Sequence, residues 1–376
     1  MTAVGPSSRE AYDAAIVGAG VMGCATALHL AGGGMRCILV DRGAVCGEAS
    51  GANAGTLTMH MTRAALIPYA LKGWELWTTA AEWLDGDLVV QATDGLSLAF
   101  TEAEAQMLRT RAEARRDAGA PIQIVDPVRA REIEPGLSER VILAAHCPVD
   151  GFVGANLTGL AFRNALVRDG VEIRQDSPVD GIDRDGATFL LRSGDEEIRA
   201  RRVVLAGGVW LEAMLAWFGL HLPIKCLVNQ LAITERMKPI LKTVVGVASG
   251  LLSLKQFANG TVLIGGGWQG IGDPERGGAT IIPDNLIGNL RLARYAIPSL
   301  SGARVVRAWL GLEAETADAM PVIGPVPGVD DAFVIGSVHS GYTSGPFMGQ
   351  LLAELILGKE PALPLFDPSR LVVAKP

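Results

Sequence analysis

The sequence DAAIVGAGVMG at residues 13–23 is an apolar stretch that runs directly into a Gly-x-Gly-x-x-Gly motif. Its first part, 13–17, predicts a short strand, and residues 24–31 have apolar positions at helical spacing. A second apolar stretch, 37–40, predicts another strand that ends on Asp41. Strand, glycine turn, helix and strand together form a βαβ unit, which indicates a parallel sheet.

The three glycines of the motif have separate roles in such a unit. Gly18 allows the tight turn, Gly20 lets the backbone approach a pyrophosphate, and Gly23 lets the helix pack closely on the sheet. The N-terminus of the helix adds free N–H groups and a partial positive charge. Asp41 is placed to accept hydrogen bonds from an adenosine ribose, and a carboxylate there disfavours the 2′-phosphate of NADP. The motif predicts a dinucleotide site, and at this point both FAD and NAD remain open.

The residues after Asp41 favour FAD. An NAD-binding domain usually continues with further βα units, whereas here Arg42 leads into a loop of small residues, GEASGANAG at 47–55. Ser50 and Asn53 are the polar members of this loop. Such a loop can wrap the pyrophosphate and ribityl chain of a longer cofactor, so we expect FAD.

Length, charge and cysteine content exclude several classes of protein. A chain of 376 residues is too long for one simple core, since domains usually have ~100–200 residues. The net charge of −7 argues against binding to nucleic acid.

The longest largely apolar run, 243–254, has only 12 residues, and the N-terminus lacks the pattern of a signal peptide. We therefore expect no transmembrane segment and a cytoplasmic location. Five scattered cysteines without a CxxC pair predict neither a disulfide framework nor a metal site.

Strand-rich segments lie between parts of an α/β frame, so a second domain is expected to be inserted into the first. Residues 171–206 alternate short strands with Gly-Asp and Asp-Gly turns, and further strands are predicted at 222–234 and 251–267. The predicted fold is α/β with an α+β insert, in which a Rossmann-like FAD-binding domain carries an antiparallel-sheet substrate domain. The expected boundaries are 10–90, 147–220 and 309–370 for the FAD-binding domain, and 91–146 and 221–308 for the substrate domain.

Four blocks of sequence, spread over nearly the whole chain, carry a resemblance to a known family. They are DAAIVGAGVMG with Asp41-Arg42, SGANAG at 50–55, VVLAGGVW at 203–210, and RAWLGLE at 307–313 followed by DAMPVIG at 318–324 and by residues 336–346. In their order and content they resemble the D-amino-acid-oxidase-like FAD-dependent oxidoreductases, the family of glycine oxidase, sarcosine oxidase and D-amino-acid dehydrogenases.

The resemblance implies a fuller set of FAD contacts. It implies a backbone contact from Val179 to the adenine, Ala206 and Gly207 beside the pyrophosphate, and N–H groups from the loop 341–344 at the N1/O2 edge of the flavin. N–H groups at this edge are physically suitable, because a helix N-terminus stabilises the negative charge of a reduced flavin. The family's covalent-flavin patterns are not evident, so non-covalent FAD is expected. The complete set of expected FAD contacts is Gly18, Gly20, Val21, Met22, Gly23, Asp41, Arg42, Ser50, Asn53, Ala54, Gly55, Val179, Ala206, Gly207, Trp210, Gly311, Gly341, Tyr342, Thr343 and Ser344.

The chain departs from the family pattern on the substrate side. Many relatives carry Arg-Pro after the W-x-G-x element, and that arginine binds the substrate carboxylate, whereas this chain has Glu313-Ala314. Many relatives have Gly-His where this chain has Gly336-Ser337, with His339 two residues on. These changes resemble a subgroup that includes flavin subunits of opine oxidases or dehydrogenases and of D-hydroxyproline dehydrogenases. In that subgroup the flavoprotein is often one subunit of a hetero-oligomer with iron–sulfur partners.

The activity implied by the resemblance is oxidation of a C–N bond in an amino acid or secondary amine, such as a D-amino acid, D-hydroxyproline or an opine-like compound. Hydride would pass from the substrate carbon to flavin N5, and water would hydrolyse the imine. Two alternatives are a glycine/sarcosine-type oxidase that uses oxygen, and a flavin-bearing electron-transfer or scaffold subunit with no substrate of its own. A nicotinamide-dependent dehydrogenase is a third, which a yellow purified protein excludes.

Three residues are candidates on the substrate side. Glu313 can pair with a guanidinium or a secondary ammonium of the substrate, or it can be a structural acid. Tyr342 can hydrogen-bond the substrate or only pack, and His60 can face the pocket or have a structural role. Weaker candidates are His339, Trp268, and Lys255 as an oxygen-activating lysine.

Overall fold

The computed structural model of the chain describes residues 11–273 and 278–375. Its α-helices are α1 Val21–Gly32, α2 Ala49–Ala52, α3 Ile67–Thr78, α4 Ala80–Trp83, α5 Glu102–Asp117, α6 Pro127–Ile133, α7 Thr158–Arg168, α8 Leu211–Leu215, α9 Pro283–Ala296 and α10 Gly341–Ile356. Its strands are β1 Tyr12–Val17, β2 Cys37–Val40, β3 Thr56–Leu57, β4 Gln91–Ala99, β5 Gln123–Val125, β6 Leu143–Phe152, β7 Glu172–Arg174, β8 Gly181–Asp185, β9 Thr188–Ser193, β10 Glu196–Leu205, β11 Leu220–His221, β12 Lys225–Thr234, β13 Val244–Val247, β14 Ser253–Gln256, β15 Val262–Gly265, β16 Ile271–Gly272, β17 Ala279–Thr280, β18 Val305–Glu315, β19 Val322–Pro325, β20 Ala332–Gly336 and β21 Val373–Ala374.

The first large sheet contains the βαβ unit predicted from the glycine motif. Its strand order is β19-β20-β10-β1-β2-β7, and β8 and β9 form a hairpin that continues from β10. β1 is parallel to both of its neighbours, β10 and β2. Strands buried on both faces read as continuous apolar runs, and residues 14–17 and 37–40 are almost completely inaccessible. The carboxyl ends of β1 and β10 meet where Ala206 N donates to Val17 O at 2.8 Å, which places the glycine turn beside 206–207.

The second large sheet has the order β18-β12-β15-β14-β13-β4-β6-β3, with β5 paired to β6. Its pairs are antiparallel except β13 and β4, which are parallel. β18 pairs with β12 over almost its full length, so that Gly311 lies opposite Asn229 and Glu313 opposite Leu227. Trp309 Nε1 donates to Ala52 O at 2.6 Å, which holds β18 against the small-residue loop. Residues of both sheets thus meet around this loop.

The closing helix begins four residues earlier than expected. The sequence predicts a helix over 345–357, with residues 341–344 as the loop that enters it, but α10 already begins at Gly341. Pro346 lies inside this helix and cannot donate to the carbonyl of Tyr342 one turn earlier. That carbonyl accepts a hydrogen bond from Trp77 Nε1 at 2.8 Å instead. A side chain of α3 therefore compensates for the proline and lets the helix extend.

The predicted fold class is confirmed, and two further details differ from the sequence-based expectation. The helix expected over 63–84 is divided, because α3 ends at Thr78 and α4 starts at Ala80. The long strand expected over 251–267 is a hairpin of β14 and β15. The domain boundaries stay a prediction. Three of them, after residues 146, 220 and 308, fall inside β6, β11 and β18.

Candidate active site

A cavity of about 1170 Å³ is lined by residues of both large sheets. It extends from the glycine motif at 18–23, past the small-residue loop, to β18 and the first turn of α10. Sites for small molecules usually measure ~300–1,000 Å³. The cavity therefore has room for a large cofactor together with a substrate.

The glycine motif leaves the backbone at one end of the cavity open to a ligand. A Cβ atom at Gly18 would lie 2.3 Å from Ala206 O, and one at Gly23 would lie 2.0 Å from Gly18 O. Gly18 also has φ +112°, a conformation that other residues rarely adopt. Gly20 precedes α1 and makes no side-chain cap. Val21 N donates to Ser50 Oγ at 3.0 Å, and the N–H groups that follow in the first turn are available to an anion. These features fit the pyrophosphate of FAD.

Asp41 stands at the end of β2, in the cavity wall. Its Oδ2 accepts from Ala19 N at 2.6 Å and its Oδ1 from Gly43 N at 2.8 Å, so the carboxylate is tied to the glycine turn. Arg42 follows it, and its guanidinium lies 3.5 Å from the centre of the Trp210 ring. This stacking explains how two expected FAD contacts from separate blocks come together.

Most of the expected FAD contacts line this one cavity. Those that do are Gly18, Gly20, Val21, Met22, Gly23, Asp41, Arg42, Ser50, Asn53, Ala54, Val179, Ala206, Gly207, Trp210, Gly311, Gly341, Tyr342 and Thr343. Gly55 and Ser344 do not line it. Gly55 has φ +66°, and a Cβ there would lie 2.1 Å from Val153 O, so it serves a turn. Ser344 Oγ donates to Ser340 O inside the start of α10.

Tyr342 packs against a neighbouring aromatic ring, which is one of the two roles considered for it in the sequence analysis. Its ring stacks on Trp77, with centroids 4.7 Å apart and planes at 14°. Its hydroxyl is hydrogen-bonded to Thr158 Oγ1 at 2.5 Å. Burial raises the pKa of Tyr342 well above its usual range. The hydroxyl is therefore neutral and engaged, and the residue contributes the first turn of α10 to the cavity.

Glu313 lies in the cavity wall at the centre of a hydrogen-bonded cluster. Its Oε2 accepts from Asn229 Nδ2 at 2.7 Å, across the β12–β18 pair. Its Oε1 accepts from His339 Nδ1 at 2.5 Å. This hydrogen bond raises the pKa of His339, against an opposing effect of burial, and favours an imidazolium–carboxylate pair. Sequence reasoning missed Asn229. Its position opposite Gly311 could have identified it, but only once the pairing of β12 with β18 was known.

Arg63 is a second cavity residue that sequence reasoning missed. One of its terminal nitrogens lies 3.4 Å from Glu315 Oε2, two residues beyond Glu313 on β18. The other, Nη1, is buried and has no hydrogen-bond partner within the described ranges. A buried guanidinium N–H without a partner is costly. Its position beside β18 brings a cation close to the Glu313 cluster.

His60 lines the cavity but has the character of a structural histidine. Its Nε2 lies 3.1 Å from Gly95 O, to which it can donate. Burial lowers the pKa of His60 to about 4, and the nearby Arg115 acts in the same direction. The imidazole is therefore neutral at pH 7 and cannot act as a cationic anchor.

Lys255 and Trp268 do not line the cavity. Lys255 is completely buried and its Nζ donates to Thr56 Oγ1, behind the wall that Thr56 forms. Burial lowers the pKa of Lys255 to about 7. The Trp268 ring packs against Gly288 of α9, where an added Cβ would lie 2.6 Å from it. Neither residue is within the space expected for cofactor and substrate.

Replacement of Lys255 by methionine is expected to stabilise the protein most at low pH. A lysine whose folded pKa is lowered destabilises the fold fully below that pKa, and the penalty disappears as pH rises to the unfolded value. With values of about 7 and 10.5, the upper bound is roughly 5 kcal/mol. Denaturant unfolding of Lys255→Met should show a gain at pH 6.5 that shrinks markedly by pH 10.

The matched control is Lys72→Met on α3. Lys72 is exposed, and its one ion pair among the described residues is with the exposed Glu75, at 2.7 Å. Exposed pairs contribute ~0–1 kcal/mol, so stability should change little at either pH. A Lys255→Met protein that is less stable than the parent at pH 6.5 contradicts the expectation.

Within the described ranges, no helix combines the length and apolar character that a membrane crossing needs. The same ranges contain no group of three or more His, Cys, Asp and Glu side chains arranged to hold a metal ion.

Residues 13–355 match the family described as FAD dependent oxidoreductase. The match covers most of the chain, and the chain belongs to this family. FAD is its cofactor, and the prediction made from the glycine motif and the loop at 47–55 is confirmed. The predicted resemblance to the D-amino-acid-oxidase-like enzymes is confirmed by the same match.

Individual relatives align over almost the full length of the chain. It is 29% identical to glycine oxidase of Geobacillus kaustophilus over 363 residues, which cover 94% of this chain and 95% of that protein. It is 27% identical to one of the opine oxidase subunits of Rhizobium meliloti, over 88% of this chain and 89% of the relative. The crystal structure of glycine oxidase from Geobacillus kaustophilus superposes with a TM-score of 0.85 at 27% identity, covering 94% of this chain and 96% of that one.

Proposed function

We propose that this enzyme oxidises the C–N bond of an amino acid or a secondary amine. FAD, when bound, would supply the acceptor for a hydride from the carbon next to nitrogen, once that nitrogen has released its ammonium proton to solvent. Water would then hydrolyse the resulting iminium. The relatives named as glycine oxidase and as part of opine oxidase support a substrate of this class. The observation that carries the proposal is the Glu313 carboxylate in the cavity wall, because it offers a negative partner to a cationic nitrogen.

Glu313 is the residue that we expect to bind the cationic part of the substrate. Asn229 and His339 each donate one hydrogen bond to it, whereas a carboxylate can accept about four. A guanidinium or ammonium can therefore bind without displacing either neighbour. The raised pKa of His339 favours its protonated form, and the hydrogen bond from His339 orients the Glu313 carboxylate.

Arg63 is the residue that we expect to bind a substrate carboxylate near the Glu313 cluster. The family position for this task holds a glutamate here, so the cation must come from another element. Arg63 lines the cavity, and its buried Nη1 has no partner among the described residues. A substrate oxygen brought alongside would satisfy part of this guanidinium. Glu313 and Arg63 would then hold the two charges of a zwitterion.

Three further features of the working enzyme are proposals. We propose that FAD is held non-covalently, so that acid precipitation releases it into the supernatant. We also propose assembly with iron–sulfur or flavin partner subunits, supported by the similarity to the opine oxidase relative, whose name marks it as one part of a larger enzyme. The cytoplasmic location of the enzyme stays a prediction from the sequence.

A second candidate is an oxidase of the glycine/sarcosine type, in which oxygen accepts the electrons. The 29% identity to glycine oxidase over nearly the whole chain favours it. The two candidates share the substrate chemistry and differ in the acceptor.

The proposed function is tested by anaerobic reduction of the purified flavoprotein. The visible spectrum is recorded, and glycine, sarcosine, D-amino acids, D-hydroxyproline, octopine and nopaline are added separately without oxygen. We expect one class of amine to bleach the flavin band. Readmitted air then distinguishes an oxidase, which recovers colour rapidly, from a dehydrogenase, which does not. A flavin that dithionite bleaches but no amine reduces would overturn the proposal and favour a scaffold or electron-transfer role.

A further inference from the structure

On the side formed by α5, the cavity is lined by two basic residues. Arg111 and Arg115 line it there, together with Leu108 of the same helix and Ala248 of the second sheet's loop. The two arginines are four residues apart, so they lie on one face of the helix. This part of the cavity is formed by the second sheet and α5, far along the chain from the glycine motif.

Each of these guanidiniums is held in place by one backbone carbonyl. Arg115 Nε donates to Thr62 O at 2.8 Å, and Arg111 Nη1 donates to Ala248 O at 2.6 Å. A guanidinium has five N–H donors, so most of them remain for a ligand. The positions of both groups are nevertheless fixed, which reduces the entropy that a ligand must overcome.

The charges of this pair are not neutralised. Among the residues that the structure describes, neither Arg111 nor Arg115 forms an ion pair with an Asp or Glu. The acid that acts on Arg115 is Asp150, which is completely buried and bonded to Thr58 and Met59. Burial raises the pKa of Asp150 to about 7, so it is only a partial counter-charge. Burial and the neighbouring Arg111 in turn lower the pKa of Arg115 to about 10. Two cations facing one cavity without a full counter-ion create a site for an anion.

We propose that Arg111 and Arg115 form an anion subsite for a second carboxylate of the substrate. Resting on the proposed function, this defines the substrate class as an amine with carboxylates on both sides of its nitrogen, as in opine-like compounds. Glu313 and Arg63 hold the end near the reacting carbon, and the pair on α5 holds the distal end. Arginine suits this role because two of its N–H groups match the two oxygens of a carboxylate.

The competing explanation is that the two arginines only tie α5 to neighbouring loops. Their bonds to Thr62 O and Ala248 O would then account for both residues. Under this explanation their replacement changes stability but not the relative affinity for ligands that differ in charge. A comparison of two ligands in the same variant separates the two explanations.

The test is a titration of the FAD-loaded enzyme with glutarate and with butyrate, followed through the perturbation of the flavin absorption band. The two acids are similar in length and differ by one carboxylate. Wild-type enzyme should bind glutarate roughly tenfold to a hundredfold more tightly, the difference expected for one charge-assisted pair of hydrogen bonds. Arg111→Met and Arg115→Met should each reduce this preference to within about threefold, with butyrate affinity nearly unchanged.

The matched control is Arg109→Met, which removes an exposed arginine that does not line the cavity from the same helix. It should retain the full preference for glutarate. Equal binding of glutarate and butyrate by the wild type, or an unchanged preference in both methionine variants, would overturn the subsite. Should Arg115→Met fail to retain FAD, Arg115→Lys and Arg111→Met carry the test, because lysine keeps the charge but loses the paired N–H geometry.

The two proposals fail in different ways. Ligand titration requires no turnover, so a glutarate preference that depends on both arginines supports the subsite even if no amine reduces the flavin. Conversely, bleaching by amines without any glutarate preference supports the proposed reaction and removes the subsite alone.

Discussion

Gly23→Val is expected to yield a protein that retains almost no FAD. An added Cβ would lie 2.0 Å from Gly18 O, a backbone atom held by β1 and by the turn at φ +112°. Because neither atom can move alone, α1 must shift away from the sheet and take its first-turn N–H groups with it. Overpacking of this kind costs ~1–3 kcal/mol or more, so FAD affinity should fall by at least about tenfold to a hundredfold. The ratio of flavin to protein absorbance after purification measures the loss.

Gly32→Ala at the other end of α1 is the control for this substitution. A Cβ there meets no atom within 4 Å, and alanine favours a helix over glycine by ~0.5–1 kcal/mol. The variant should carry a full complement of FAD and melt at the same or a slightly higher temperature. A Gly23→Val protein with normal flavin content would show that α1 can reposition without cost, and would contradict the role given to this glycine.

Glu313→Gln is expected to lower kcat/KM by roughly 10- to 100-fold for the amine that reduces the wild type. The amide keeps the size of the side chain but removes its negative charge, and hydrogen bonds to charged groups contribute ~1.5–3 kcal/mol. The loss should be much smaller for Glu313→Asp, which keeps the charge. Unchanged kcat/KM at full flavin content would leave Glu313 as a structural acid and would remove its role in binding substrate.

The same substitution has a second expected signature in the pKa of His339. The hydrogen bond to Glu313 is the main cause of its raised pKa, so Glu313→Gln should lower that pKa, which NMR titration of the imidazole can follow. A raised folded pKa stabilises the protein below the unfolded pKa, ~6.5 for histidine, and the stabilisation is lost as pH rises through the folded pKa. Glu313→Gln should therefore destabilise the protein more at pH 5.5 than at pH 9. An equal loss at both pH values would mean that the pair is not ionised.

The residues expected to contact the cofactor could be placed from the sequence because their positions are determined locally. Gly18, Gly20 and Gly23 are spaced by the needs of a single turn, and Asp41 follows on the neighbouring strand. A short stretch of chain determines such geometry by itself, through sterics at positive φ and the 3.6-residue period of the helix. The structure therefore gathers these residues where the sequence predicts them, at one end of a single cavity.

The substrate end could be predicted only in part because its contacts join distant segments. Glu313 and His339 are both recognisable as candidates, but their hydrogen bond depends on how β18 packs beside the start of α10. Arg63 reaches Glu315 across 252 positions of sequence, and no local pattern distinguishes it from a surface arginine.

The amino-acid sequence alone thus specifies the βαβ unit, the family and FAD, since each follows from backbone conformations and spacings within single segments. The tertiary structure decides which charges face one another in the cavity. Glu313 meets His339 and Asn229 there, and Arg111 and Arg115 face the same space without a full counter-charge. Side chains from separate strands and helices acquire their partners only in the folded chain, and electrostatic interactions depend on those final distances and on burial.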